Sequence, residues 1–197
     1  MRIFITTWFI AAVSIMPLTC AAQDASVPAS DPPLYVDGSL CTKPDQIVFS
    51  CPLAKSGKIV SICAAGSAAP HRFYYAFGKP RAAAFIYPSK NGDEMSSIHA
   101  TKQSYASSWS TVYSFTKQGY RYMVSATEGM AFIGEGGKQG LRSPYHDGGL
   151  LVQKIGDDKV VLEMDCAGNT THYDDKLIQD SSQELKPDPD LKNRLPY

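Results

Sequence analysis

Four pairs of short β-prone runs, each pair joined by a break too short to hold a helix, constrain this chain more than any other feature. Gln46 to Cys51 and Lys58 to Cys63 flank Lys55-Ser56-Gly57, and Arg72 to Phe77 and Ala83 to Tyr87 flank Gly78-Lys79-Pro80. Trp109 to Phe115 and Tyr120 to Ala126 flank Lys117-Gln118-Gly119, and Gly149 to Ile155 and Lys159 to Cys166 flank Gly156-Asp157-Asp158. β-branched and aromatic residues fill the runs while Gly, Asp and Pro hold the breaks, which is the chemistry of strand, turn, strand. Pro80 lacks the amide hydrogen that a central strand needs, and Gly119 suits a positive φ. Met130 to Gly134 adds a shorter run, so about nine strands are expected. Met95 to Ser108 holds at most a turn or a short helix, and helical periodicity is weak elsewhere. The expected fold is therefore all-β, an antiparallel meander forming a sandwich or barrel, because consecutive elements are usually neighbours in space.

The first residues carry a different signal. Arg2 is basic, Ile3 to Ile15 are almost wholly apolar or small, Pro17 breaks the run, and small residues reach Ala22, the order of a cleavable signal peptide over residues 1–22. A membrane span needs about 20 apolar residues, more than this run supplies. Residues 23–40, rich in Ala, Ser, Asp and Pro, are expected to be a flexible leader; 41–179 the β domain; and 180–197, with Pro187, Pro189 and Pro196 among charges, a loosely ordered tail. The expected location is periplasmic or secreted.

Cleavage after Ala22 would remove Cys20 and leave Cys41, Cys51, Cys63 and Cys166, an even set that in an exported chain implies two disulfides. If Cys51 lies opposite Lys58 in the first hairpin, Cys63 falls about five residues away along the ladder, too far to bridge Cys51. Two pairings remain: Cys41–Cys51 with Cys63–Cys166, which is slightly preferred, or Cys41–Cys63 with Cys51–Cys166. The same cleavage removes Arg2, so 19 basic against 19 acidic residues becomes 18 against 19. With no excess of positive charge, nucleic acid is not an expected partner.

Catalytic signatures are sparse. His71, His99, His146 and His172 lack metal-ligand spacing and the cysteines are committed to bridges, so neither a metal nor another cofactor is expected. Ser143, His146 and Asp147 lie too close in sequence to converge readily as a triad, and no Gly-x-Ser-x-Gly elbow is present. The pairs Asp157-Asp158 and Asp174-Asp175 fit solvated turns. Tyrosines are numerous, and most are expected to form cross-strand pairs within the sheet. The segment from Gly134 to Gly149 stands apart, with six glycines, Lys138, Arg142, Tyr145 and His146 between two β-prone runs. It is expected to be a long loop, the place where binding residues concentrate, and Arg and Tyr are the residue types that anchor interfaces. Lys138, Arg142, Tyr145 and His146 are accordingly the expected binding residues.

Cys41-Thr-Lys-Pro-Asp-Gln-Ile-Val-Phe-Ser-Cys51, Lys58-Ile-Val-Ser-Ile-Cys63 and Tyr74-Tyr-Ala-Phe-Gly-Lys-Pro80 fall within about a fifth of the chain. That stretch resembles the opening of exported proteobacterial proteins of unassigned activity. Tyr113-Ser-Phe-Thr-Lys-Gln-Gly119 resembles the Thr-Lys-Gly stretch of C-type lysozyme inhibitors with Gln118 inserted, and the general plan resembles periplasmic lysozyme inhibitors and immunity proteins. The resemblance implies a protein that blocks a wall-degrading hydrolase or toxin with a surface loop and performs no chemistry itself. The alternatives are an envelope enzyme acting on cell-wall or carbohydrate substrates through His146 and Asp147 as general acid and base, or an envelope assembly factor that binds through an edge strand.

Overall fold

The computed structural model describes residues 33–89, 98–133, 141–157, 159–168 and 171–191. The expected signal peptide and the first part of the leader lie outside them. Among the described residues, ten strands form two antiparallel sheets. The first contains β1 (Gln46–Pro52), β2 (Ile59–Ala65), β3 (Arg72–Lys79), β4 (Ala82–Tyr87) and, beside β1, β10 (His172–Tyr173). The second runs in sequence order: β5 (His99–Ser104), β6 (Ser108–Lys117), β7 (Tyr120–Ile133), β8 (Leu141–Lys154) and β9 (Val160–Asp165). The all-β meander read from the hairpins is the observed fold, and each of the four expected hairpins is present. β5 replaces the short helix or turn expected in Met95 to Ser108; its β-branched and polar residues pair with β6 from His99↔Ser114 to Ser104↔Trp109.

Strand alternation sorts the side chains. Val60, Ile62 and Ala64 of β2 and Phe73 and Tyr75 of β3 face Tyr113 and Phe115 of β6, Val124 of β7 and Leu150 of β8 in one core shared by both sheets. The centre of that core is aromatic. Phe115 stacks on Tyr87 at 4.2 Å and on Tyr122 at 4.9 Å between ring centroids, with Tyr75 and Phe85 tilted around them. The expectation of cross-strand tyrosines holds, but several are interior: Tyr75 and Tyr113 are fully buried.

The disulfides are Cys41–Cys63 and Cys51–Cys166, the second of the two pairings that the sequence left open and not the preferred one. Alternation gives the reason. Cys63 opposes Ile47 and lies on the outer face of the first sheet, whereas Cys51 opposes Val60 and points into the core. Cys166 belongs to that core, so only Cys51 reaches it. The Leu53↔Cys166 bridge and the amide bonds from Ala54 to Asp165 and from Ala167 to Pro52 join the two sheets at the same corner. Two disulfides fit a compartment outside the reducing cytoplasm. Among the described residues no helix is long and apolar enough to cross a membrane.

Both flanking segments are more ordered than their composition suggests. The leader from residue 33 onward covers the outer face of the first sheet: Leu40 is fully buried against Ile59 and Ala76, its amide donates to Ser61 Oγ, and Ser50 Oγ donates to Gly38 O. At the other end α1 (Asp175–Glu184) is capped by Asp174, whose side chain accepts from the Leu177 amide, and buries Leu177, Ile178 and Ser181. The Asp174-Asp175 pair, expected in a turn, is thus a helix cap and first helical residue. Beyond the helix, Asp188 is buried, accepts from Ser114 Oγ and donates its amide to Thr101 Oγ1, while Leu191 packs on Val112 and Met123. Residues 185–191 are therefore a docked strap across the outer face of the second sheet, not a loose tail, and 192–197 lie outside the described residues.

Arg121, 9% exposed, pins this strap through Asp190 and lies 3.8 Å from Asp188. Arg121→Met is expected to lower stability by about 2–3 kcal/mol, less than the loss typical of a fully buried pair because Asp188 keeps its Ser114 and backbone partners. Urea unfolding measures the loss, and limited proteolysis should cut after residue 185 in the variant first. An unchanged cleavage pattern would show that Arg121 does not hold the strap.

Candidate functional site: an extended arm and the side chains at its base

β7 and β8 pair continuously from Tyr120↔Lys154 to Ile133↔Leu141, but β6 follows β7 only as far as Ser108↔Gly129. Four further rungs, Met130↔Pro144 to Ile133↔Leu141, run beyond the sheet as a two-stranded arm. The expected loop from Gly134 to Gly149 is thus strand from residue 141 onward. Its glycines and proline hid the strand. Gly148 is required by close approach, since a Cβ there would lie 2.2 Å from Ser125 O and 2.6 Å from Phe49 Cζ. Gly129 opposite makes room in the same way: its Cβ would lie 2.7 Å from the Tyr145 hydroxyl. Pro144 is tolerated because β9 pairs only with Gly149 to Gln153, leaving β8 an edge strand at that point. Lys138 lies outside the described residues.

Alternation divides the remaining candidates between the two faces of β8. Arg142 and His146 point to one side, and Tyr145 and Asp147 to the other. Asp147 accepts from its own neighbour's amide, Gly148 N, at 2.7 Å. His146 and Asp147 are consequently not a converging acid–base pair, and Ser143, His146 and Asp147 do not form a triad.

His146 instead enters a cluster that the sequence did not reveal. Trp109, Glu128 and His146 stand side by side on β6, β7 and β8, as the registers Trp109↔Glu128 and Glu128↔His146 require. Tyr173 of β10 stacks on the His146 ring, with centroids 4.4 Å apart and planes 2° from parallel. Asp175, at the start of α1, completes the group: one ligand atom each from Glu128, His146 and Asp175 lie within 4.8 Å of one another. Burial raises the Glu128 carboxyl above the usual range; the adjacent Asp175 charge and a hydrogen bond with it raise it further, against the lowering effects of His146 and Trp109. Burial also pushes the Tyr173 phenol up, and the Glu128 and Asp175 charges add to it. The single indole N–H of Trp109 lies near both Glu128 and Tyr173 and opposes both shifts. The only sequence signal for this cluster was latent in the hairpin register, which aligns Glu128 with His146 once the arm is recognised; Asp175 and Tyr173 arrive from a distant segment with no spacing cue.

On the opposite face of the second sheet, beside the docked strap, lies an open groove of about 520 Å³. Small residues make it concave. Ser110, Ser125 and Thr127 form the floor, Tyr145 lies across Gly129 at one end, and Glu163 and Asp165 stand on the far rim. The groove offers hydroxyls and carboxylates to a ligand. Comparison of the chain with protein-family models, curated proteins and solved structures found no match.

Proposed function

We propose that this is a periplasmic protein-binding module of the inhibitor or immunity class, which presents the β7–β8 arm to a wall-degrading hydrolase or toxin and performs no chemistry itself. The observation that carries this proposal is the run of four β7–β8 rungs beyond the end of β6. A two-stranded ribbon mounted on a disulfide-stapled double sheet enters a cleft without first losing loop entropy, and preorganisation of this kind is what converts a modest contact area into affinity. Met130 and Arg142 on the arm and Tyr145 at its base, all exposed, provide apolar, basic and aromatic contacts. A basic group on the arm suits an acidic catalytic cleft, and a tyrosine suits a sugar subsite.

The test is inhibition and binding measured against a panel of muramidases and other wall hydrolases, including any toxin encoded beside the gene. The intact chain should bind one member and lower its activity at equimolar addition. Replacing residues 131–143 by Asn-Gly should abolish that binding while leaving the urea midpoint nearly unchanged. Arg142→Ala with Tyr145→Ala should weaken it by several kcal/mol, the range of paired hot spots. Full affinity in the arm-shortened variant would sink the proposal, and hydrolysis of wall fragments by the purified chain alone, lost in His146→Ala, would replace it with an enzyme.

A further inference from the structure

We propose that Glu128, His146 and Asp175 form a binding site for a divalent transition-metal ion of the zinc class at the base of the arm. The three side chains come from β7, β8 and α1, so no local segment explains their convergence. Each offers one ligand atom, one nitrogen and two carboxylate oxygens, all within 4.8 Å. Ligands around a tetrahedral zinc ion, at about 2.0–2.2 Å from it, stand about 3.4 Å from one another. Closure therefore needs the ligand atoms to move inward by up to about 1.4 Å, and His146 and Asp175 are both exposed.

Two neighbours that are not ligands behave as the outer partners such a site needs. Tyr173 lies flat against the imidazole and fixes its plane. Trp109 stands directly beside Glu128 on the neighbouring strand, where its indole N–H is the nearby donor for the carboxylate. Outer contacts of this type hold ligands in register and are usually as important to a metal site as the ligands are. They also distinguish this cluster from an exposed group of acidic residues, in which nothing fixes the donors.

The donor set selects the class of ion. An imidazole favours zinc, cobalt or nickel over calcium, which takes six to eight oxygens, and over magnesium, which retains its water shell. Three protein ligands with two of them exposed leave at least one coordination position open to water or to a donor from a partner. A divalent cation bound between Glu128, His146 and Asp175 would tie β7 and β8 to α1. The ion would stiffen the arm at its root. The proposal does not depend on the inhibitor function, because its measurements need no protein partner.

The experiment uses the untagged disulfide-bonded chain after treatment with a chelator. Zinc is titrated calorimetrically, and cobalt is titrated by its visible absorption as a reporter of coordination geometry. One equivalent of zinc should bind, with cobalt giving the absorption of a low-coordinate nitrogen and oxygen site that zinc displaces. His146→Ala and Asp175→Asn, at exposed positions that should not disturb folding, should each weaken zinc binding at least tenfold. Glu128→Gln should do the same, and Trp109→Phe should weaken it by about tenfold through loss of the outer hydrogen bond. Paramagnetic broadening by cobalt should centre on residues 128, 146 and 175 in an amide spectrum, which locates the ion independently of any variant. No saturable binding of either ion, or one-equivalent binding that survives both His146→Ala and Asp175→Asn, would overturn the proposal.

Discussion

Loss of the Cys51–Cys166 bridge is expected to destabilise the protein by about 5 kcal/mol, against about 3.4 kcal/mol for loss of Cys41–Cys63. The difference follows from chain entropy: the first bridge closes a loop of 115 residues and the second one of 22. The longer bridge also sits where the two sheets meet, beside the Leu53↔Cys166 contact, so its removal frees the end of β1 from the end of β9. The shorter one fastens the leader to the outer face of the first sheet, where the buried Leu40 and the bonds from Leu40 N to Ser61 Oγ and from Ser50 Oγ to Gly38 O still hold it. The double variants Cys51→Ala with Cys166→Ala and Cys41→Ala with Cys63→Ala separate the two contributions in urea titrations. The larger loss should be accompanied by an increased dependence on urea concentration, since the unfolded chain without the long loop exposes more surface. Equal losses, or a larger loss from the Cys41–Cys63 variant, would mean that native-state packing around the sulfurs outweighs the loop term.

This bridge also illustrates what the sequence made legible. Turn residues and apolar runs are local, and they were sufficient to place four of the hairpins and to exclude Cys51–Cys63, but not to place β5 against β6 or β7 against β8. Choosing between the two remaining pairings required knowing which face of β1 and β2 each cysteine occupies. That depends on a register shift between Ile47 and Phe49, where the pairing slips by one residue. A single bulge reverses the inside and outside of a strand and leaves no mark on composition.

The flanking segments and the candidate site were hidden for a related reason. Residues 33–45 and 185–191 look like linkers because their order comes from long-range contacts, such as Leu40 on Ile59 and Leu191 on Met123, and not from propensity. In the arm, Gly129 and Gly148 look like loop residues, yet each is a glycine because a neighbouring side chain or backbone atom occupies the place of its Cβ. Arg142, Tyr145 and His146 were placed on a loop, but a loop imposes no faces and a strand does. Recognition of the strand separates Tyr145 from His146 and assigns His146 to Glu128 and Asp175.

Phe115→Ala is the other substitution with a large expected effect, a loss of about 4–5 kcal/mol. Phe115 is 2% exposed and lies between Tyr87 of the first sheet and Tyr122 of the second, so its ring is the contact through which the sheets pack at that level. Truncation removes the transfer free energy of the ring and leaves a cavity walled by Tyr75, Phe85, Tyr87 and Tyr122, rings too rigid to collapse into it. The stacked pairs add about 0.5–1.5 kcal/mol each, although such terms are not additive around one ring. Phe115→Leu, which refills most of the volume, should cost about 1–2 kcal/mol, and Tyr120→Ala, at a position more than a third exposed, about 1 kcal/mol or less. The order Phe115→Ala, Phe115→Leu, Tyr120→Ala in urea midpoints tests the assignment. A Phe115→Ala protein that loses less than 2 kcal/mol would show that the sheets close over the gap, and the scaffold behind the arm would then be more compliant than a preorganised arm requires.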